Sequence, residues 1–170
     1  MNIDFEADWS DLADQIHAFN VDKGWWDNYP NKMDRFKTAQ MLVITELAEA
    51  CEGLRKDCMD DKLPDEKMYD VEIADAIIRL LDMAGAYGWN KEWVGYQLLQ
   101  TSSSCISIEN LLGLCSVVIN NVEASIAIML VHCGIPNSEL RRLITKKMEY
   151  NNTRADHLKE NREKVGGKKF

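Results

Sequence analysis

Apolar residues recur every three or four positions along most of the chain, the pattern of helices that bury one face. Trp9, Leu12, Ile16 and Phe19 mark a first helix over 8–20. Asp11, Asp14 and Gln15 lie on its other side, and Asp8 or Ser10 supplies the cap. A second helix is predicted over about 34–57 and a third over about 65–87, where Gly85 and Gly88 mark its end. The polar break between them, 58–66, is short enough to make the two antiparallel neighbours. A shorter helix is expected over 91–99, with Trp93, Val94 and Leu98 as its apolar face, followed by a serine-rich loop. The stretch 108–132 is apolar on so many sides that it reads as one central helix, broad enough to serve an oligomer contact as well. The run from Gly134 to Ser138 breaks the pattern, and Ser138 is expected to cap a last helix reaching about residue 152. No stretch reads as a β-hairpin. The expected fold is an all-α bundle of five or six helices, one domain over 1–170, with 155–170 a flexible basic tail.

Two stretches interrupt the apolar pattern in the same way. Glu46-x-x-Glu49 sits among Val43, Ile44, Leu47 and Ala50, and Glu72-x-x-Asp75 among Val71, Ile73, Ala76 and Ile77. Residues three apart on a helix lie nearly above one another, so each pair forms a short carboxylate stripe. An E-x-x-E is commonly a solvated face. Here the helices are apolar almost all round, and carboxylates embedded in such a helix are rare unless paired or bound to metal. Two antiparallel helices would bring the stripes together, and four converging oxygen ligands suit a hard divalent cation such as Mg²⁺.

Composition narrows the class. With 170 residues and 46% hydrophobic content, one substantial core is expected. A net charge of −8 argues against nucleic acid as a partner. The most hydrophobic run, 111–135, carries Asn120, Asn121, Glu123 and His132, which argues against a membrane span. Five cysteines without C-x-x-C spacing, and an N-terminus without a signal-peptide core, predict free thiols and a cytoplasmic location. The last thirty residues hold ten bases and four acids, so an acidic centre is paired with a basic end, which suits a metal-chelated polyphosphate. Lys147, Asn151 and Arg154 fall on one helical face with Tyr150 beside them. They form either a solvated basic face or a set of phosphate donors. In the turn-rich stretch 20–31, Trp25 and Trp26 either plug the end of the bundle or offer a π-face to a nucleobase.

There is no P-loop, no G-x-G-x-x-G, no Glu-x-x-His pair and no indicated Ser/His/Asp set. What is present resembles the MazG-like all-α nucleoside triphosphate pyrophosphohydrolases. The resemblance rests on Glu46-x-x-Glu49 followed by Glu72-x-x-Asp75, on Asn20-x-x-Lys23-Gly24-Trp25-Trp26 upstream, and on the run 73–85. It also rests on the run 147–154 and the closing Gly166-Gly167-Lys168-Lys169-Phe170. Two features depart from the family: Thr45 stands where a further Glu is frequent, and 155–164 looks like an insertion. Residues 89–135 match no motif of it. The resemblance implies Mg²⁺-dependent hydrolysis between the α and β phosphates, giving a monophosphate and pyrophosphate, with Mn²⁺ as a possible substitute. It assigns Glu46, Glu49, Glu72 and Asp75 to the metal; one carboxylate not fully engaged with the ion would serve as general base, and by position that is Glu49. His17, Asn20, Lys23, Trp25, Trp26, Lys147, Tyr150, Asn151 and Arg154 fall to substrate, and a homodimer or dimer of dimers is implied. The alternative expectation is a helical nucleotide-binding or protein-interaction module that has lost catalysis.

Overall fold

Local chemistry sets the helix ends that frame the core. In the computed structural model, which describes residues 3–27, 31–89 and 107–167, helix α1 spans Trp9–Asp22. Asp8 caps it, its Oδ1 accepting from the Asp11 amide at 2.9 Å. Helix α2, Lys32–Lys56, is capped by Asn31, whose side chain accepts from the Asp34 amide at 2.8 Å. Helix α3, Met68–Tyr87, ends at Gly88 in the left-handed region, as the sequence predicts. Between α2 and α3 the chain turns through an isolated bridge, Met59 to Lys67, closed by the Asp60 amide on the Glu66 carbonyl at 2.9 Å. The fold is all-α, with no strand among the described residues.

Helix α3 is the axis of the bundle. It packs against α1 and α2, and also against α5 (Val122–His132) and α6 (Asn137–Thr153). Val71, Ile73, Ala74, Ile77, Leu80 and Leu81 are all buried, so this helix is apolar nearly all round. Gly85 lets α1 approach: a Cβ there would lie 2.6 Å from the Cβ of His17 and 2.7 Å from the Ala13 carbonyl oxygen. Gly85→Ala must push α1 off α3, and overpacking of this kind destabilises by about 1–3 kcal/mol. A matching drop in the denaturation midpoint, with unchanged helix content before the transition, is the expected measurement.

Three expectations need correction. The single helix over 108–132 is two, α4 (Ile108–Asn120) and α5, broken where Asn121 caps the second by accepting from the Ala124 amide at 3.3 Å. An asparagine side chain competes with the helix for backbone donors, and Asn120-Asn121 outweighs the apolar flanks. Ser138 is not a cap: α6 starts at Asn137, behind Pro136, whose fixed φ suits a helix entry. The first part of the basic tail, 155–162, is folded. Ala155–His157 forms a 3-10 turn and Lys159–Arg162 a short helix, α7, with Arg162 buried. The helix expected over 91–99, with its serine-rich loop, lies outside the described residues.

On α4, Leu111, Leu114 and Val118 are buried, and Gln40 of α2 donates to the Val118 carbonyl at 2.7 Å. Ile108, Leu112 and Ile119 stay exposed. No described helix is long and apolar enough to cross a membrane.

The loop between α2 and α3 is clamped to α6 by Glu66. Its carboxylate takes Arg142 at 2.8 and 2.6 Å and Lys146 at 2.6 Å. Those partners, Arg142 first, hold the Glu66 carboxyl down at about 2, below its ordinary 4.5. A depressed carboxyl stabilises the fold above its unfolded pKa, and that contribution is lost as pH falls through the folded value. Glu66→Gln is therefore expected to lose roughly 1–2 kcal/mol at neutral pH. The gap to the parent protein should close as pH drops from about 4.5 to 2 in urea titrations.

Candidate functional site

Helices α2 and α3 bring three carboxylates together. One ligand oxygen each from Glu46, Glu72 and Asp75 lies within 4.8 Å of the others. Glu46 and Glu72 are buried and Asp75 is partly open. Burial pushes the Glu72 carboxyl up to about 9, reinforced by the negative charge of Asp75, and burial raises Asp75 as well. Two cations offset the crowding. Arg79 Nε donates to Glu46 Oε1 at 2.6 Å, and Lys147 Nζ sits 2.8 Å from Asp75 Oδ2. Burial opposes the Lys147 charge, yet Asp75 and Glu72 outweigh it and hold the ammonium above its usual range. An all-oxygen donor set this close, under mutual repulsion, fits a hard divalent cation.

Glu49 does not join this group. It is exposed, although it lines the same cavity, so the expected four-acid cluster is a cluster of three. Three helical steps fall about 60° short of a full turn. With Glu46 turned fully between the helices, Glu49 is rotated toward the rim.

The trio opens into a cavity of about 530 Å³. Lys62, Arg79, Lys147 and Arg154 line it together with the acids. Asp82 and Arg35 line it too. Asp82 lies seven residues beyond Asp75, about 10 Å further along α3. The remaining lining includes Phe19, Asn20, Lys23, Trp25, Leu42, Ile78 and His157. The lining thus combines the charged groups of the trio with two aromatic side chains, Phe19 and Trp25, beside Asn20 and Lys23. Asn151 also lines it, and its buried Oδ1 has no protein partner.

Of the residues expected at substrate, Asn20, Lys23, Trp25, Lys147, Asn151 and Arg154 line the cavity. Lys147 is not on a solvated face; it is buried against Asp75. His17, Trp26 and Tyr150 are not in the lining and act from behind it. His17 Nδ1 lies 2.8 Å from Asp82, Trp26 Nε1 donates to the same carboxylate at 3.2 Å, and Arg35 covers the Trp26 ring at 4.5 Å. Tyr150 lies beneath the Arg154 guanidinium at 5.7 Å. The two tryptophans have therefore divided: Trp26 packs among His17 and Tyr87, and Trp25 faces the cavity.

Lys62, Arg35, Asp82 and His157 were not among the expected site residues. Asp82 had a signal, since it continues the Glu72-Asp75-Arg79 stripe. Lys62 had a weaker one: Asp60 Oδ1 accepts from the Lys62 and Leu63 amides at 3.0 and 2.7 Å, an aspartate turn that holds the lysine's backbone in place. Arg35 and His157 had none. Comparison of the chain with protein-family models, with curated proteins and with solved structures found no match.

Proposed function

We propose that the protein is a Mg²⁺-dependent nucleoside triphosphate pyrophosphohydrolase, cleaving between the α and β phosphates to a monophosphate and pyrophosphate. The observation that carries this is one cavity holding three converging carboxylates, several cations and an aromatic wall. The sequence resemblance points the same way. Glu46, Glu72 and Asp75 are the residues that would hold Mg²⁺, or Mn²⁺ in its place. When bound, the ion supplies charge neutralisation and polarisation of the scissile phosphate. The chain's own residues do the rest. Lys62, Lys147 and Arg154 carry the N–H donors for phosphate oxygens, which would take them over from the carboxylates they now meet: Asp61 for Lys62, Asp75 for Lys147, and Asp156 for the Nε and Nη2 of Arg154. Trp25 and Phe19 offer flat apolar area to a base. Glu49, outside the trio and open to solvent, is assigned to take the proton of the attacking water. The exposed Ile108, Leu112 and Ile119 suit a homodimer or dimer of dimers.

One observation favours a second reading. Arg79 and Lys147 already pair with Glu46 and Asp75, which neutralises much of the trio without a metal. A nucleotide-binding module without turnover would have that arrangement. Pyrophosphate and phosphate release from a panel of nucleoside triphosphates, in Mg²⁺ and in EDTA, separates the two. Metal-dependent pyrophosphate with little phosphate is expected. Thermal stabilisation by nucleotide with no release would favour the module.

A further inference from the structure

The segment after α6 turns back across the α1–α2 connection and closes around one side chain. Arg162 is buried, and its guanidinium carbon lies 3.5 Å from the centroid of the Trp25 ring. The same guanidinium donates from Nη1 to the Lys23 carbonyl at 2.8 Å and from Nη2 to the Gly24 carbonyl at 3.1 Å. His157 meets Trp25 edge-on from the same segment, with centroids 5.1 Å apart at 83°. Lys159 Nζ reaches Asp27 Oδ2 at 2.6 Å, two residues past Trp25. Gly24 has φ +75, a conformation that L side chains rarely adopt, so the backbone turns sharply just before Trp25, and Arg162 holds the two carbonyls ahead of that ring.

We infer that Arg162 is a positioning residue. It sets Trp25 as the aromatic wall of the cavity, and so controls affinity for the base of the substrate; this use of the wall rests on the function proposed above. The physical ground is the shape of the guanidinium. A planar group can put two N–H bonds on successive carbonyls while its face lies on an indole. An ammonium cannot do both. An exposed loop whose tryptophan were held only by its own backbone would leave that ring to choose among rotamers. Each ligand would then meet the entropy of fixing it. With Arg162 in place that entropy is spent during folding, and the wall is formed before the ligand arrives.

The test combines two readouts. In the ligand-free protein, amide hydrogen exchange over 23–27 should quicken by about tenfold or more in Arg162→Ala and Arg162→Lys, while α2 and α3 exchange as before. In steady-state kinetics with a nucleoside triphosphate, both variants should raise KM by about tenfold and leave kcat within about twofold, since base stacking contributes on that scale. Placed on a Trp25→Ala background, Arg162→Ala should change KM by less than about twofold, because the two act through one ring. Unchanged exchange at 23–27, a loss in kcat with KM constant, or multiplying effects in the double variant would each overturn the inference. So would global unfolding of both Arg162 variants, which would make the residue part of general stability. Absence of turnover in the parent protein would sink the proposed reaction alone: exchange, and calorimetric affinity for the triphosphate in place of KM, still decide the role of Arg162.

Discussion

Replacing Asp75 with Asn is expected to lower pyrophosphate release by about 10³-fold or more while leaving the helical fold in place. Asparagine fills the same volume, so the packing of α3 is retained. It removes one of three charges that would hold the cation, and it offers a neutral oxygen instead. The variant also takes from Lys147 its 2.8 Å charged partner, leaving the new amide oxygen as a neutral acceptor for the ammonium. The far-ultraviolet dichroism should match the parent protein, and raising Mg²⁺ should recover only a small part of the rate. Turnover close to the parent's would remove the trio from the chemistry.

The second large effect is on stability. Lys147 has a side chain only 3% exposed, and it is the ammonium that offsets Asp75 and Glu72 from α6. Lys147→Met keeps the apolar stem and removes the charge, leaving buried carboxylates facing one another. Breaking a buried pair on one side costs about 3–5 kcal/mol, and for a chain of this length that means a drop in Tm of roughly 10 °C. The sign of the pH dependence follows from Glu72, whose folded pKa is raised to about 9 from 4.5. A carboxyl raised in this way favours the fold at low pH, and that support is lost as pH climbs through the folded value. The deficit of Lys147→Met should therefore be smallest in acid and grow toward alkaline pH. Mg²⁺ should narrow it at neutral pH, by supplying the missing positive charge. A Met variant as stable as the parent in EDTA, with no response to Mg²⁺, would contradict the electrostatic account of the site.

The helices were legible because their signals are local. Asp8 and Gly88 are capping residues by their own chemistry, and the apolar repeat of α3 leaves no other face to expose; the Asn31 cap, which starts α2 at Lys32 ahead of the expected 34, was not read. The acid pairs were legible in the same way, and three of the four meet as expected. Glu49 did not, because a spacing of three tells which face of a helix two residues share and not which of them points squarely at the neighbour. The break at Asn120-Asn121 was hidden by the apolar run around it. The tail was hidden for a different reason. A stretch with Lys159, Arg162 and Lys164 reads as solvated when only charge is considered, but a guanidinium can be buried if it finds an indole face and two carbonyls. Lys147 was expected at the site and lines its cavity, but its burial against Asp75 was not readable, since that partner lies on a different helix. Long-range pairing of this kind leaves no periodicity to read.

The most direct measurement of the central claim is phosphorus NMR of the products when the purified protein and Mg²⁺ are incubated with a nucleoside triphosphate in ¹⁸O-labelled water. The account predicts nucleoside monophosphate and pyrophosphate with no diphosphate, the label on one of those two products, and no reaction in EDTA. Orthophosphate with nucleoside diphosphate would place the cleavage at the wrong bond. Unchanged triphosphate in the presence of folded, Mg²⁺-treated protein would leave a binding module and end the case for hydrolysis.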